Sequence, residues 1–343
     1  MTMKQDVIEL DGTIGGGQVL RSGLSLSMVT GLTLRIKNIR AKRSRPGLMR
    51  QHLTAVLAAA QVCGAQVHGA QLGSQSLVFE PGPIQGGEYR FSIGTAGSCT
   101  LVLQTLLPAL LRAPTASRVT ICGGTHNPLA PPVDFLQRAW LPLLRRMGAA
   151  IELSLNRYGF VPAGGGELEA FIQPAQLAPL QLMQRGKLLE ARAITLNAGL
   201  PAQVSEREFK RVRQRLSFDE SQLCPIEIDP EQGPGNVLML EYVHEHVTEV
   251  FSAFGQANLR AETVADQAIE QAMEWKGTDT AVGEHLADQL LLPMALAGGG
   301  RFTTPHMSDH LHSNMQVIQR FLPVRIESHV REEGGLIIEC RAR

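Results

Sequence analysis

The chain repeats itself, and this limits its architecture more than any other feature. Leu101-Val-Leu-Gln-Thr-Leu-Leu-Pro-Ala-Leu-Leu111 and Leu286-Ala-Asp-Gln-Leu-Leu-Leu-Pro-Met-Ala-Leu296 share six of eleven residues, including Gln104 with Gln289 and Pro108 with Pro293. Both follow a glycine, and both space their apolar residues along one face of a helix. A third such segment, Gln18 to Thr30, follows Gly15-Gly-Gly17 and carries Val19, Leu20, Leu24, Leu26 and Met28. A second helix follows each. The first is expected to open at Pro46, a residue suited to a first helical turn, and to stop near Gly64. The next opens near Pro132 and ends at Gly148, and the last takes Ser308 as its N-cap and runs through Phe321. Alternating runs at 65–68 and 149–155 read as strands. A glycine loop, a helix, a strand, a helix and strands thus recur three times.

The spacing also reveals an insertion. The second helices start at 46, 132 and about 309, intervals of 86 and 177 residues, so about 91 residues are added ahead of the third unit's helices. Charge marks the same place. Residues 201–280 hold fifteen acids against seven bases, whereas 12–79 hold no acid and eight bases. A formal net charge of zero is therefore the sum of a basic first unit and an acidic insert. Within the insert, 206–216 and 262–275 read as helices and 237–243 as a strand. The expected fold is α+β: three repeated units of two helices packed on a four-stranded sheet, with an inserted small α/β domain. The expected boundaries are 1–183 and 279–343 for the discontinuous three-repeat core and 184–278 for the insert.

An apolar share of 44% with 19% charged residues excludes disordered, collagen-like and coiled-coil chains. The longest apolar runs, 101–111 and 290–297, each contain a proline and fall short of the ~20 residues a membrane span needs. No membrane association is expected, and the opening MTMKQDVIEL lacks the apolar core of a secretory signal. The five cysteines are scattered without a C-x-x-C pair and read as free thiols of a cytoplasmic protein.

The basic stretch comprises Arg21, Arg35, Lys37, Arg40, Lys42, Arg43, Arg45 and Arg50. Arginine pairs bidentately with phosphate, and helix N-termini bind anions through free N–H groups. A solvated basic face would interleave acids, so the stretch points to a polyanion, with Arg21, Arg40, Arg43, Arg50 and Gln51 as candidates. The glycine-rich segments match neither G-x-x-x-x-G-K-[ST] nor G-x-G-x-x-G. His306, His310 and His312 cluster near the end of the chain, and His306/His310 or His310/His312 has spacing compatible with a metal. His310 falls in the first turn of its helix, where the dipole disfavours the imidazolium and attracts anions. A neutral imidazole beside phosphate is a competent nucleophile at phosphorus; a capping or surface histidine is the plain alternative.

Several segments, taken in order, resemble the RNA 3′-terminal phosphate cyclase family along essentially the whole chain. They are Gly15-Gly-Gly-Gln-Val-Leu-Arg21-Ser, Arg43-Ser-Arg-Pro-Gly-Leu-Met-Arg50-Gln-His-Leu and Gly94-Thr-Ala-Gly-Ser-Cys-Thr-Leu-Val-Leu-Gln104. They continue with Gly159-Phe-Val-Pro-Ala-Gly-Gly-Gly166, Gln232-Gly-Pro-Gly-Asn236, Ala281-Val-Gly-Glu-His-Leu-Ala-Asp-Gln289 and His310-Leu-His-Ser-Asn314. The resemblance implies a fold shared with enolpyruvyl transferases, ATP as substrate, and RNA 3′-phosphate ends as partner. The family's nucleophile falls on His310, which takes AMP from ATP and passes it to the RNA 3′-phosphate; the neighbouring 2′-hydroxyl then closes a 2′,3′-cyclic phosphate. ATP contacts fall on Gln104, Pro131, His285, Leu286, Ala287, Asp288 and Gln289, and RNA or phosphate contacts on Arg21, Arg40, Arg43 and Gln51. Mg²⁺ or Mn²⁺ is expected with ATP, and a monomer or homodimer as the assembly. One departure stands out. The family's G-E-G-G-G-Q acid is replaced by Ile14 in Asp11-Gly-Thr-Ile-Gly-Gly-Gly-Gln18, so no metal ligand is assigned, with Asp11 the nearest acid. Two other functions remain open: a non-catalytic RNA-binding relative acting in ribosome assembly, and an enolpyruvyl-shikimate-type transferase.

Overall fold

Each unit begins with a strand that the repeat pattern did not announce. The computed structural model describes residues 7–13 and 15–343; Ile14 and the first six residues lie outside them. The first unit runs β1 (Val7–Asp11), α1 (Gly16–Thr30), β2 (Thr33–Lys37), α2 (Arg50–Cys63), β3 (Gln66–His68) and β4 (Leu77–Glu80). The second runs β5 (Glu88–Ser92), α3 (Cys99–Leu110), β6 (Ser117–Gly123), a helical stretch and two strands. That stretch consists of α4 (Val133–Phe135), a π turn at Leu136–Trp140 and α5 (Leu141–Arg146), and the strands are β7 (Ala150–Arg157) and β8 (Gly166–Gln173). The third opens with β9 (Leu180–Leu182) and is then interrupted. The interruption consists of β10 (Leu188–Ala198), α6 (Gln203–Leu216), β11 (Leu223–Ile228), β12 (Gly235–His244), β13 (Thr248–Phe254) and α7 (Ala261–Lys276). The unit resumes with α8 (Glu284–Leu296), β14 (Gly299–Thr304), α9 (Asp309–Phe321), β15 (Val324–Val330) and β16 (Leu336–Ala342).

The three units have one topology. Their sheets are ordered β1-β2-β4-β3, β5-β6-β8-β7 and β9-β14-β16-β15, which is first, second, fourth, third strand each time. In each, the first two strands are parallel and the others antiparallel. The parallel pair has the first helix as its crossover, as a β-α-β connection requires.

The helix expected at Pro46 begins at Arg50 instead. Gly47 sits at φ 79, in the left-handed region that a right-handed helix excludes. The Arg40 guanidinium fixes this turn by donating to the carbonyls of Arg45 (2.7 Å) and Gly47 (2.9 Å). Ser308 caps α9 as expected, its hydroxyl accepting from Leu311 N–H at 3.0 Å.

The insert has its own sheet, β11-β10-β12-β13. Alternation along its strands divides the side chains between two cores. Ile194, Leu196, Val237 and Met239 join the core shared by the three units, while Ala193, Leu238, Leu240 and Tyr242 pack with Val264, Ile269 and Trp275 of α7. Acidic α7 lies along basic α6, with Glu262 paired to Arg207 and Asp266 to Arg211 and Arg215.

Glu208 of α6 is fully buried, with the Asn236 amide as its hydrogen-bond partner at 3.1 Å. Burial pushes its carboxyl up to about 7, from an ordinary 4.5. The unfolded chain therefore ionises it earlier than the folded chain does. Stability falls as pH rises from about 4.5 to about 7 and levels off above, a loss on the order of 3 kcal/mol. Glu208→Gln should remove most of this slope and stabilise the protein at pH 8 relative to wild type, as measured by denaturant unfolding at pH 5 and 8.

Candidate active site

Helices from all three units converge with the insert on one cleft of about 1080 Å³. It is larger than a single small ligand needs. The core wall carries Gln18 and Arg21 of α1, Arg40 and Arg43 of the following turn, and Gln51 and His52 of α2. It also carries Gln104 of α3, Pro131, His285, Asp288 and Gln289 of α8, and His310 and Asn314 of α9. The structure thus brings together ten of the twelve residues expected at the site. Leu286 and Ala287 do not reach the cleft: both are buried in the core, because consecutive residues of a helix point in different directions. Arg50 is exposed and lies outside the cleft lining.

At the centre is a relay of side chains. Gln18 Nε2 donates to Asp288 Oδ1, so its Oε1 is an acceptor, and that oxygen meets His310 Nδ1 at 2.6 Å. His310 must therefore carry its neutral-form proton on Nδ1, which leaves the Nε2 lone pair free. Asn314, one turn after His310, donates to Asp288 Oδ1 (3.3 Å) and Asp288 O (3.2 Å), and accepts from Ser22 Oγ at 2.8 Å. Burial pushes the Asp288 carboxyl up, against the Gln18 hydrogen bond and the nearby His310, Arg21 and His285.

The other histidines of the cluster diverge. His306 lies between Glu274 (3.3 Å) and Glu284 (3.5 Å), and His312 meets Gln316 on the exposed side of α9. They therefore form no metal triplet with His310.

Around the relay is an anion-binding surface. Burial lowers Arg21 to about 10, with Asp288 opposing, so it stays charged at neutral pH. His52 is held down to about 3 by burial and by Arg21 and Arg40, so it is neutral. Its Nδ1 accepts from Met49 N–H (3.3 Å), which puts its proton on Nε2, available to a bound oxygen. Gln51 Oε1 accepts from Ser98 N–H (2.7 Å), tying α2 to the start of α3 and leaving its Nε2 without a protein partner. His52, Gln18 and Asn314 were not singled out from the sequence. Helical periodicity alone would have placed Asn314 beside His310.

The repeated helices also meet one another. Gln104 Nε2 donates to Gln289 Oε1 at 2.5 Å, so equivalent residues of two units are hydrogen-bonded. Pro293 has no N–H for the Gln289 carbonyl four residues earlier, and Trp140 Nε1 supplies that bond at 3.1 Å.

Asp11 is not at this site. Its carboxylate accepts from Thr13 N–H (2.9 Å), Thr13 Oγ1 (2.5 Å) and Asn38 Nδ2 (3.3 Å), and these bonds, led by Thr13, lower its pKa. Asp288 is the one carboxylate on the core wall, its Oδ1 already shared by Gln18 and Asn314. Among the described residues, this donor set does not fit a divalent ion held by protein ligands alone.

A family model described as RNA 3′-terminal phosphate cyclase matches residues 13–328. The chain belongs to the RNA 3′-terminal phosphate cyclase family. It is 71% identical over 340 residues to the RNA 3′-terminal phosphate cyclase of Pseudomonas fluorescens, covering 99% of both chains. The cyclase of Ectopseudomonas mendocina is 60% identical over 339 residues, again covering 99% of both, and that of Salmonella enteritidis is 51% identical over 334 residues, covering 96% of this chain and 98% of its own. Among solved structures, the enolpyruvyl transferase NikO from Streptomyces tendae aligns over 98% of this chain and 48% of its own, with 12% identity and a TM-score of 0.40. Among the described residues, no helix is long and apolar enough to cross a membrane.

Gly17 faces the anion surface at its tightest point. A Cβ there would stand 2.5 Å from His52 Nε2 and 2.9 Å from Arg21 Nη1. Gly17→Ala should displace both donors and weaken binding of a triphosphate by about tenfold or more, the worth of one charge-assisted hydrogen bond. Calorimetric titration checks this, with an unchanged circular dichroism spectrum as the folding control.

Proposed function

We propose that the cleft converts an RNA 3′-terminal phosphate to a 2′,3′-cyclic phosphate at the expense of ATP, through a covalent adenylate on His310. The observation that carries this reading is the lock on the imidazole: Gln18 holds the proton on Nδ1 and leaves Nε2 nucleophilic beside the arginines. A non-catalytic RNA-binding role gives that lock no purpose, and an enolpyruvyl transfer has no use for the nucleophile.

His310 Nε2 attacks the α-phosphorus of ATP, and the bond to pyrophosphate breaks. Arg21, Arg40 and Arg43, with the neutral His52 donor, hold the phosphate oxygens and stabilise the charge spread over them. An oxygen of the RNA 3′-phosphate then attacks the adenylate phosphorus, the P–N bond breaks, and His310 is restored. The 2′-hydroxyl attacks the activated 3′-phosphorus, loses its proton, and expels AMP. Ring closure is intramolecular, so its geometry is nearly set in advance, and it requires RNA because DNA lacks the hydroxyl. The divalent ion, Mg²⁺ or Mn²⁺, would arrive on the triphosphate and neutralise its charge.

In this reading Gln104, Pro131, His285, Asp288 and Gln289 line the ATP side and Arg21, Arg40, Arg43 and Gln51 the phosphate-rich end. Residues 1–183 and 279–343 act as the catalytic core and 184–278 as an inserted domain. Every group named comes from one chain, so a monomer suffices and a homodimer would add none of them. Substrates and free thiols fit the cytoplasm.

With ATP labelled at the α-phosphate and Mg²⁺, wild type should acquire acid-labile label and His310→Ala none. Gln18→Leu removes the acceptor for Nδ1–H and should slow labelling by about tenfold to a hundredfold, the worth of one buried hydrogen bond to a reacting group. Label on His310→Ala equal to wild type would remove His310 from its role. The double variant Arg40→Ala/Arg43→Ala should lose more of the RNA cyclisation rate than of the self-adenylylation rate. Equal losses in parallel assays would place these arginines at ATP alone.

A further inference from the structure

The cleft is electrically lopsided. Its core wall carries arginines, and its opposite wall, built by the insert, carries none. That wall is one face of α7, where Gln267, Glu270, Gln271 and Glu274 recur at helical spacing, together with Phe254 at the end of β13. The remaining faces of α7 are accounted for by folding. Val264, Ala268 and Ile269 are buried in the insert's core, and Glu262 and Asp266 are held by arginines of α6. On the cleft face, Glu270 has no partner, and Gln271 engages only its Nε2, on the Gln267 carbonyl. Carboxamide and carboxylate oxygens thus face the cleft unpaired, beside a half-buried ring in a chain with 5% aromatic residues.

This wall repels phosphate and offers acceptors. A nucleotide spanning the cleft is therefore oriented, with phosphate against Arg21, Arg40 and Arg43 and its base toward α7. Cleft volume admits more than one nucleotide. We infer that the α7 wall is a subsite for the nucleobase at the RNA 3′ end, with Phe254 as a stacking surface and Gln267, Glu270 and Gln271 accepting from an exocyclic amine. Unstacked RNA ends are recognised by stacking and base-edge hydrogen bonds of this kind, and glutamate is a natural acceptor for an amino group. The subsite favours terminal adenine, cytosine or guanine over uracil. This inference rests on the cyclase reading of the same cleft.

The test separates the two half-reactions. Gln267→Ala/Glu270→Ala/Gln271→Ala places good helix formers at solvent-facing positions, so the fold is retained. Self-adenylylation from ATP without RNA is measured first, then cyclisation of oligonucleotide 3′-phosphates that differ only in a terminal A, C, G, U or abasic residue. The expected result is adenylylation within about twofold of wild type and a KM for A-, C- and G-ended RNA raised about tenfold, with U-ended and abasic RNA unchanged. Adenylylation falling in step with cyclisation would assign the wall to the adenine of ATP and overturn the inference. Equal KM values for all ends, before and after substitution, would also overturn it. Failure of wild type to adenylylate would overturn the cyclase reading itself, and this inference with it.

Discussion

Everything at the site depends on one carboxamide. Gln18 sits in the first turn of α1, donates to Asp288 on α8 and accepts from His310 on α9. An amide has one donor end and one acceptor end. Once Asp288 fixes which end faces it, the protonation of the imidazole is fixed too. A carboxylate in place of Gln18 would repel Asp288, and an apolar residue would free the ring to choose either tautomer. The relay also joins the first unit to the third, so the site requires the chain to have closed its repeat array.

Much of this was legible in the sequence because it is local. The repeat survives as glycines, apolar helical faces and paired prolines, all visible within a dozen residues of one another. His310 could be singled out because its position at a helix start has chemical meaning by itself. The first strands were harder: β9 has three residues, β1 five, and each gains its identity from a parallel neighbour across a helix. Pro46 misled because proline suits both a first helical turn and a tight turn, and Gly47 with Arg40 decides for the latter. Leu286 and Ala287 were grouped with their neighbours as a contiguous motif, but a helix distributes such a motif over several faces. What could not be read at all was partnership. Gln18 and His310 lie 292 residues apart, and nothing in either neighbourhood names the other.

The charge split takes on geometric form in the fold. Basic residues of the first unit and acidic residues of the insert stand on opposite walls of one cleft. Much of the acidic surplus on α7 is spent against α6, and the remainder gives the cleft its polarity. Net neutrality here is a dipole across a binding site.

The hydrogen bond between Gln104 and Gln289 links corresponding residues of two copies. A duplicated unit usually drifts once its copies acquire separate tasks. These copies touch at their equivalent positions, so a change in one is felt at once by the other. Resemblance between 101–111 and 286–296 is then a record of mutual restraint as well as of common origin. Divergence is free only where the helices turn away from each other, as when Leu103 of one copy, buried, corresponds to Asp288 of the other, which anchors the relay.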